Sequence, residues 1–232
     1  MKLSIIIPCY NEELSIKQLV CNCIDNIDEE IEILLVDNGS NDKTFKILNS
    51  LSLPKNIIPL RIENNIGYGN GILFGLKKAK GEILSWTHAD LQTDISDVII
   101  GFKKFKTSLL NKECIVKGVR KNRNLFDEFF TFSMGIYCSI VLKKWLYDIN
   151  AQPKIFHKEF FKEMKGEAPL DFSLDLYIIH FFKKKNLKIN TFPVFFKERK
   201  YGIAKGGGTF KGKIKLIKRT FSYIHALNKN LK

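Results

Sequence analysis

The chain lacks any run of the roughly 18–20 apolar residues that a membrane-spanning helix requires. The nearest approach, Phe129 to Leu142, is uncharged but shorter, and it is flanked by Asp127-Glu128 and Lys143-Lys144. It reads as a buried or interfacial helix rich in phenylalanine. Cysteine is scarce as well: Cys9, Cys21, Cys23, Cys114 and Cys138 are an odd, scattered set with no C-x-x-C pair. That excludes a disulfide framework and the usual zinc knuckle, and the expectation is reduced thiols in a cytosolic setting. Pro8 and Asn11 interrupt the N-terminal apolar run early, so no signal peptide is expected. There is no internal repeat and no low-complexity linker; Gly206-Gly207-Gly208 is the one flexible joint that the sequence suggests.

Acidic residues are also few, 24 against 38 lysines and arginines, for a formal charge of +14. The imbalance is local. Lys197 to Lys232 hold eleven Lys/Arg and one acid, Glu198, which places +10 of the +14 in the last 36 residues. Within that stretch Phe210, Ile214, Ile217, Phe221, Ile224 and Leu231 recur at helical spacing, while Lys211, Lys213, Lys215, Lys218 and Arg219 take other faces. A basic amphipathic helix suits an anionic membrane surface; a terminal helix docked on the domain with a solvated basic face accounts for the same pattern. No nucleic-acid motif accompanies the charge, and no nucleic-acid partner is expected. The expected organisation is one domain over 1–208 followed by a basic amphipathic tail over 209–232.

The rest of the chain has 45% hydrophobic residues over 232 positions, enough for an enzyme-sized core. Short β-rich runs at 2–7, 31–36, 57–62, 82–87 and 114–119 alternate with helical patterns at about 12–25, 42–52, 69–79 and 95–107. That alternation predicts an α/β domain with a mostly parallel sheet and helices on both faces. Ligands of such sheets bind outside the carboxyl ends of the strands. Three polar motifs fall there: Pro8–Glu12, Asp37–Ser40 and Thr87–Gln92. The last delivers an imidazole, a carboxylate and an amide (His88, Asp90, Gln92) to one strand end. Such a donor set can hold a divalent metal against a diphosphate; a polar loop after a strand is the plainer reading.

The ordered series P-x-Y-N-E (Pro8–Glu12), L-V-D-N-G-S-x-D (Leu35–Asp42), N-x-G-x-G (Asn65–Gly69) and A-D-L-Q (Ala89–Gln92) resembles family 2 inverting glycosyltransferases of the GT-A fold, a Rossmann-like architecture. Within that family the resemblance points to dolichyl- or polyprenyl-phosphate sugar synthases, which usually carry Asp at the position of His88. It implies a nucleotide diphosphate sugar as donor and Mg²⁺ or Mn²⁺ as cofactor. By the same resemblance Pro8, Tyr10 and Glu12 pack on the nucleotide, Asp37 accepts from a base N–H, Asn38 joins the nucleotide-sugar site, and Gly67 lets the backbone approach the ligand. Asp90, with Gln92 and His88, holds the metal that neutralises the leaving diphosphate. Asp37 as a turn or helix cap, and Gly67 and Gly69 as a simple strand-to-helix turn, are the plainer alternatives.

On the acceptor side, Arg199 to Lys205 resemble an R-x-x-G-x-S-K segment of those synthases, with Ala204 in place of Ser. Guanidinium forks pair well with phosphate oxygens, so Arg120, Arg199 and Lys205 are candidates for the acceptor phosphate; ordinary surface charge is the alternative. Asp148 and Gln152 match a family segment near sugar and acceptor. Asp171 and Asp175, four apart, would share one helix face. A sugar hydroxyl acceptor needs a general base, for which Asp171 and Asp175 are candidates; a phosphate acceptor is already ionised and needs none. The expected function is inverting sugar transfer to a polyprenyl phosphate on the inner face of the cytoplasmic membrane. The tail would make peripheral contact there, with a separate membrane-anchoring subunit as a possible partner. The alternatives are transfer to a glycan hydroxyl, of O-antigen or capsule type, and a degenerate domain that only binds.

Overall fold

Alternating apolar residues in the first strand set the layering of the fold, which is described here from a computed structural model for residues 1–122, 125–164, 168–197 and 210–229. In β1 (Leu3–Cys9), Leu3, Ile5 and Ile7 face one core while Ile6 faces the other. A strand buried on both faces reads as a nearly continuous apolar run, as this one does. The next elements follow the predicted alternation: α1 (Ile16–Asp25), β2 (Ile31–Asn38), α2 (Thr44–Ser50), β3 (Ile57–Ile62), α3 (Tyr68–Lys78) and β4 (Ile83–Trp86). Then come α4 (Ile95–Lys104), α5 (Lys106–Leu110), β5 (Cys114–Lys121) and α6 (Leu125–Leu142). The C-terminal part adds β6 (Lys154–His157), α7 (Lys158–Glu163), α8 (Leu174–Lys184), β7 (Lys188–Phe195) and α9 (Phe210–Lys229).

Among the described residues these strands form one sheet in the order β3-β2-β1-β4-β6-β5-β7. The β1, β2, β3 and β4 pairings are parallel, as is β5 with β7, whereas β6 runs antiparallel to both β4 and β5. Because β6 is reversed, its first residue, Lys154, lies opposite Trp86 at the carboxyl end of β4. Lys154 also lies opposite Lys117 of β5. The reversal therefore adds the start of a strand to the edge where the parallel strands end. The sequence reading had five strands; β6 and β7 are additions.

Helix α9 docks on the domain. Ile224 is fully buried, Tyr137 of α6 stacks on Phe221 with ring centroids 4.0 Å apart, and Tyr137 Oη lies 2.9 Å from His225 Nε2. No helix among the described residues is long and apolar enough to cross a membrane.

Candidate active site

Strand β2 carries a buried carboxylate at each end, and the two are treated differently. Glu32, at the amino end, accepts hydrogen bonds from Ser4 Oγ (2.6 Å) and from the backbone N–H groups of Lys80 and Gly81. Asp37, at the carboxyl end, is fully buried and accepts one long bond, from Ser40 N at 3.3 Å. Its Oδ2 has no hydrogen-bond partner, and Arg61 Nη1 approaches only to 3.7 Å. The neighbouring Asn38 donates from Nδ2 to Gly67 O (2.9 Å), and its Oδ1 is likewise buried without a partner. Buried acceptors are almost always paired. The two orphaned oxygens sit on consecutive residues at one strand end and point to opposite faces of the sheet, so each leaves an acceptor open to a ligand N–H there.

The loops around them are locked from within. Asn11, at φ 52°, donates its N–H to Ser40 Oγ and accepts from Asn41 N through Oδ1, which ties the turn after Pro8 and Tyr10 to the turn after β2. Glu12 N donates to Thr44 Oγ1 at 2.7 Å, and Glu12 Oε2 accepts from Ser15 Oγ at 2.8 Å. Gly67 has φ +144°, and a Cβ there would lie 2.2 Å from Leu170 O. The glycine is required by close approach of the 168–171 segment as well as by its backbone angle.

The loop after β4 holds the predicted metal donors. Asp90 Oδ1 accepts from Gln92 N at 3.1 Å. Gln92 Nε2 donates to Lys197 O, and Lys197 N donates back to Gln92 O. This double tie engages the amide nitrogen and leaves Oε1 as the oxygen the side chain could offer a metal. His88 is half-buried beside Tyr68, with ring centroids 6.0 Å apart. Loss of solvent lowers the His88 pKa, while Asp90 and Asp175 oppose the shift. A neutral imidazole at pH 7 retains a nitrogen lone pair for a metal. Among the described residues no group of three His, Cys, Asp or Glu side chains could hold a metal alone. One carboxylate, one imidazole and one amide oxygen nevertheless fit an ion whose other ligands are diphosphate oxygens.

Behind this loop lies a buried charged network that only partly follows the sequence reading. Arg120 donates from Nε to Asp148 Oδ1 (3.0 Å), and its backbone N–H donates to Oδ2 (2.8 Å). Asp148 itself has φ 42°. This contact and burial pull the Asp148 carboxyl in opposite directions, and the net shift is downward. Asp175 Oδ1 accepts from Lys154 Nζ (2.9 Å) and Gln152 Nε2 (2.8 Å). Gln152 Oε1 is buried without a partner. Lys154 also donates to the carbonyls of Ile149 and Ala151, and Lys117 donates to those of Gly118 and Asp148. Burial, then the neighbouring Lys154 charge, lowers the Lys117 pKa to about 7.

Asp37, Asn38, His88, Asp90, Gln92, Arg120, Asp148 and Gln152 thus line one sheet edge or the loops above it, and Asp175 joins them from the first turn of α8 through Gln152 and Lys154. Asp171 differs from expectation: α8 begins at Leu174, so Asp171 does not share a helix face with Asp175. It instead accepts from Ser173 N at 2.8 Å and faces Arg219 Nε at 3.4 Å. Arg199 and Lys205 lie outside the described residues. The sequence reading missed Lys117, Lys154 and Tyr68. A lysine inside the apolar strand Cys114-Ile115-Val116-Lys117 was the available signal, since a strand buries such a charge only with partners.

The family model of glycosyl transferase family 2 matches residues 4–108. YfnE of Bacillus subtilis strain 168, an uncharacterized glycosyltransferase, is 37% identical over 176 residues, covering 73% of this chain and 37% of that protein. The undecaprenyl-phosphate 4-deoxy-4-formamido-L-arabinose transferase of Proteus mirabilis is 32% identical over 102 residues, covering 42% of this chain and 31% of that protein. The chain spans less than half the length of the curated relatives it matches. Among solved structures, glucosyl-3-phosphoglycerate synthase from Mycobacterium tuberculosis, in complex with Mn²⁺, UDP-glucose and phosphoglyceric acid, shares the fold. Its TM-score is 0.72 at 14% identity, over 98% of this chain and 80% of that one. The architecture is GT-A-like.

Proposed function

We propose that this chain, which carries a family 2 glycosyltransferase domain in a GT-A-like fold, moves a sugar from a nucleotide diphosphate sugar to a polyprenyl phosphate, with inversion at the anomeric carbon. The observation that carries the donor half of this reading is the orphaned buried Asp37 Oδ2 at the carboxyl end of β2, the same edge of the sheet as the loop after β4 that bears Asp90. A nucleobase N–H would satisfy Asp37, and Pro8 and Tyr10 flank the same strand end. Asp90, His88 and Gln92 would hold the divalent ion. When bound, that ion neutralises charge on the departing diphosphate. Mn²⁺ is present in the structural relative, and the imidazole of His88 suits Mn²⁺ better than Mg²⁺.

The lipid-phosphate acceptor is supported by the cations gathered at this edge. A hydroxyl acceptor needs a base, and Asp175 Oδ1 is engaged in a buried ion pair with Lys154 and a bond from Gln152, with Oδ2 left as the remaining acceptor. A phosphate monoester brings its own ionised nucleophile and needs positioning by cations. Arg120 and Lys117 lie on β5 beside this network, and Arg199 and Lys205 are the further candidates. The Proteus relative's name, an undecaprenyl-phosphate sugar transferase, points the same way. Transfer to a glycan hydroxyl, with Asp175 as base, is the second reading; its support is the burial of Asp175 next to Gln152, whose Oε1 is open to a hydroxyl donor.

The test is transfer to a polyprenyl phosphate compared with transfer to soluble sugars, using the same donor. Arg199→Ala is expected to cripple transfer to the lipid phosphate and to leave nucleotide binding almost intact. Glycosylation of soluble sugar alone would reject the lipid-phosphate reading and make Asp175 the base.

A further inference from the structure

Helix α6 has two unlike faces. Cys138 and Leu142 are buried against the domain, and Gly135 packs so closely on the next loop that a Cβ would lie 2.9 Å from Leu146 O. On the opposite side Leu125, Phe129, Phe132, Ile136 and Ile140 follow one another at steps of three and four, so they share one face. All five are exposed: Leu125 by 84%, Phe129 and Ile140 by 71% each. Phe126 and Ser133 extend the same side, and the exposed Glu128 borders it near the start of the helix. Water-soluble surfaces seldom carry a continuous apolar stripe of this length unless something covers it.

The surroundings identify the cover. The loop after α6 is tied back to it, with Leu146 N donating to Ser139 Oγ at 2.8 Å. That loop holds Trp145 and Tyr147 outward, 63% and 43% exposed. Trp and Tyr favour the boundary between headgroups and acyl chains. Helix α9 flanks α6 through Tyr137, Phe221 and His225. Its sequence, Phe210 to Lys229, has six Lys/Arg and no acidic residue, and Lys218 is exposed. An apolar face edged by interfacial aromatics and an acid-free basic helix matches an anionic bilayer. It does not match a second copy of this chain, which would set two basic helices of a +14 molecule against each other.

We propose that the outward face of α6, with Trp145, Tyr147 and α9, is a docking surface for an anionic lipid bilayer, the apolar stripe entering the headgroup boundary and α9 meeting the anionic headgroups. This goes beyond a charged tail touching the membrane, because the apolar contact comes from α6. It is also independent of the acceptor's identity. The loop that carries Trp145 continues to Asp148, the partner of Arg120, so docking here sets the candidate site beside the lipid surface.

The full chain provides its own probe. It has two tryptophans, Trp86 fully buried and Trp145 exposed, so a vesicle-induced emission change reports Trp145. Phosphatidylglycerol-containing vesicles should shift the emission to the blue and float the protein, and phosphatidylcholine vesicles should do so more weakly. Phe129→Glu with Ile140→Glu should weaken flotation by about tenfold or more. Phe129→Ser with Ile140→Ser should weaken it less, and thermal melting of both should match the parent. Trp145→Phe should still float without the emission change. No sugar substrate is present, so failure here leaves the acceptor reading untouched. The proposal is overturned if the parent fails to bind anionic vesicles, or if the folded Glu pair floats like the parent. It is overturned equally if the stripe instead closes a dimer that the substitutions dissociate.

Discussion

The parallel half of the sheet, β1 to β4, and the half built from β5, β6 and β7 handle buried charge differently. In the first half Asp37 Oδ2 and Asn38 Oδ1 have no hydrogen-bond partner, and Arg61 approaches Asp37 only to 3.7 Å. In the second half buried charge meets charge at hydrogen-bond distance, Arg120 with Asp148 and Lys154 with Asp175, although Gln152 Oε1 is left without a partner there too. An open buried acceptor costs stability until a ligand supplies the missing N–H. A closed buried pair holds its own geometry but punishes loss of either member. On the proposed function, the first half is the donor half, built to receive, and the second is the acceptor half, built to hold shape. Substitutions on the two sides should fail in different assays.

The largest effect is expected at Lys154. Lys154→Met strands the Asp175 carboxylate and unsatisfies the carbonyls of Ile149 and Ala151. It should cost about 3–5 kcal/mol of folding stability. Chemical denaturation measures this, and Lys154→Met with Asp175→Leu should recover part of the loss. A single variant as stable as the parent would show that the acceptor half is not held by this pair.

Asp37→Ala should behave the other way. It removes a buried carboxylate held by one weak donor and by Arg61 at 3.7 Å, so the melting temperature should change little or rise. Nucleotide diphosphate binding should weaken by about 1.5–3 kcal/mol, the usual worth of a hydrogen bond to a charged group. Calorimetric titration reads the affinity and a melting curve reads the stability. A destabilised protein with unchanged affinity would erase the contrast between the halves.

The smallest effect is in pH dependence. Lys117 has a folded pKa of about 7 against an ordinary value of 10.5, chiefly from burial, and burial lowers Lys154 as well. Between those values the unfolded chain binds more protons than the folded one, so stability should rise as pH increases above about 7. The rise should end near pH 9, where the buried thiols Cys9 and Cys23, whose pKa values are raised, begin to favour the unfolded state. Lys117→Met should flatten the slope. Denaturation midpoints across that range provide the check, and the same slope in both proteins would assign it elsewhere.

The two halves also differ in how far the sequence shows them. Each donor motif is local: Pro8 to Glu12, Asp37 to Asp42 and Ala89 to Gln92 are short polar runs directly after apolar strands, so strand end and chemistry appear together. The acceptor half is assembled at long range. Lys154 meets Asp175 across 21 positions and Lys117 only through strand register. Strand β6 is four residues long and follows Pro153, too short to display a period. Strand β7 contains Pro193, which argues against a central strand, and β7 is indeed an edge. The uncharged run at Phe129 to Leu142 announced a helix, but a run apolar on every side does not say which side faces out. That took the position of the loop from Lys143 to Asp148 and of α9.

The central claim is sugar transfer from a nucleotide diphosphate donor at the Asp90 edge, and release of nucleotide diphosphate tests it most directly. The parent chain with Mn²⁺, polyprenyl phosphate and a panel of nucleotide diphosphate sugars should release nucleotide diphosphate from one of them. Asp90→Ala should lose several kcal/mol of transition-state stabilisation, a rate loss on the order of a thousandfold. EDTA should silence the parent. Release that persists in EDTA and in Asp90→Ala at the parent's rate would contradict the account.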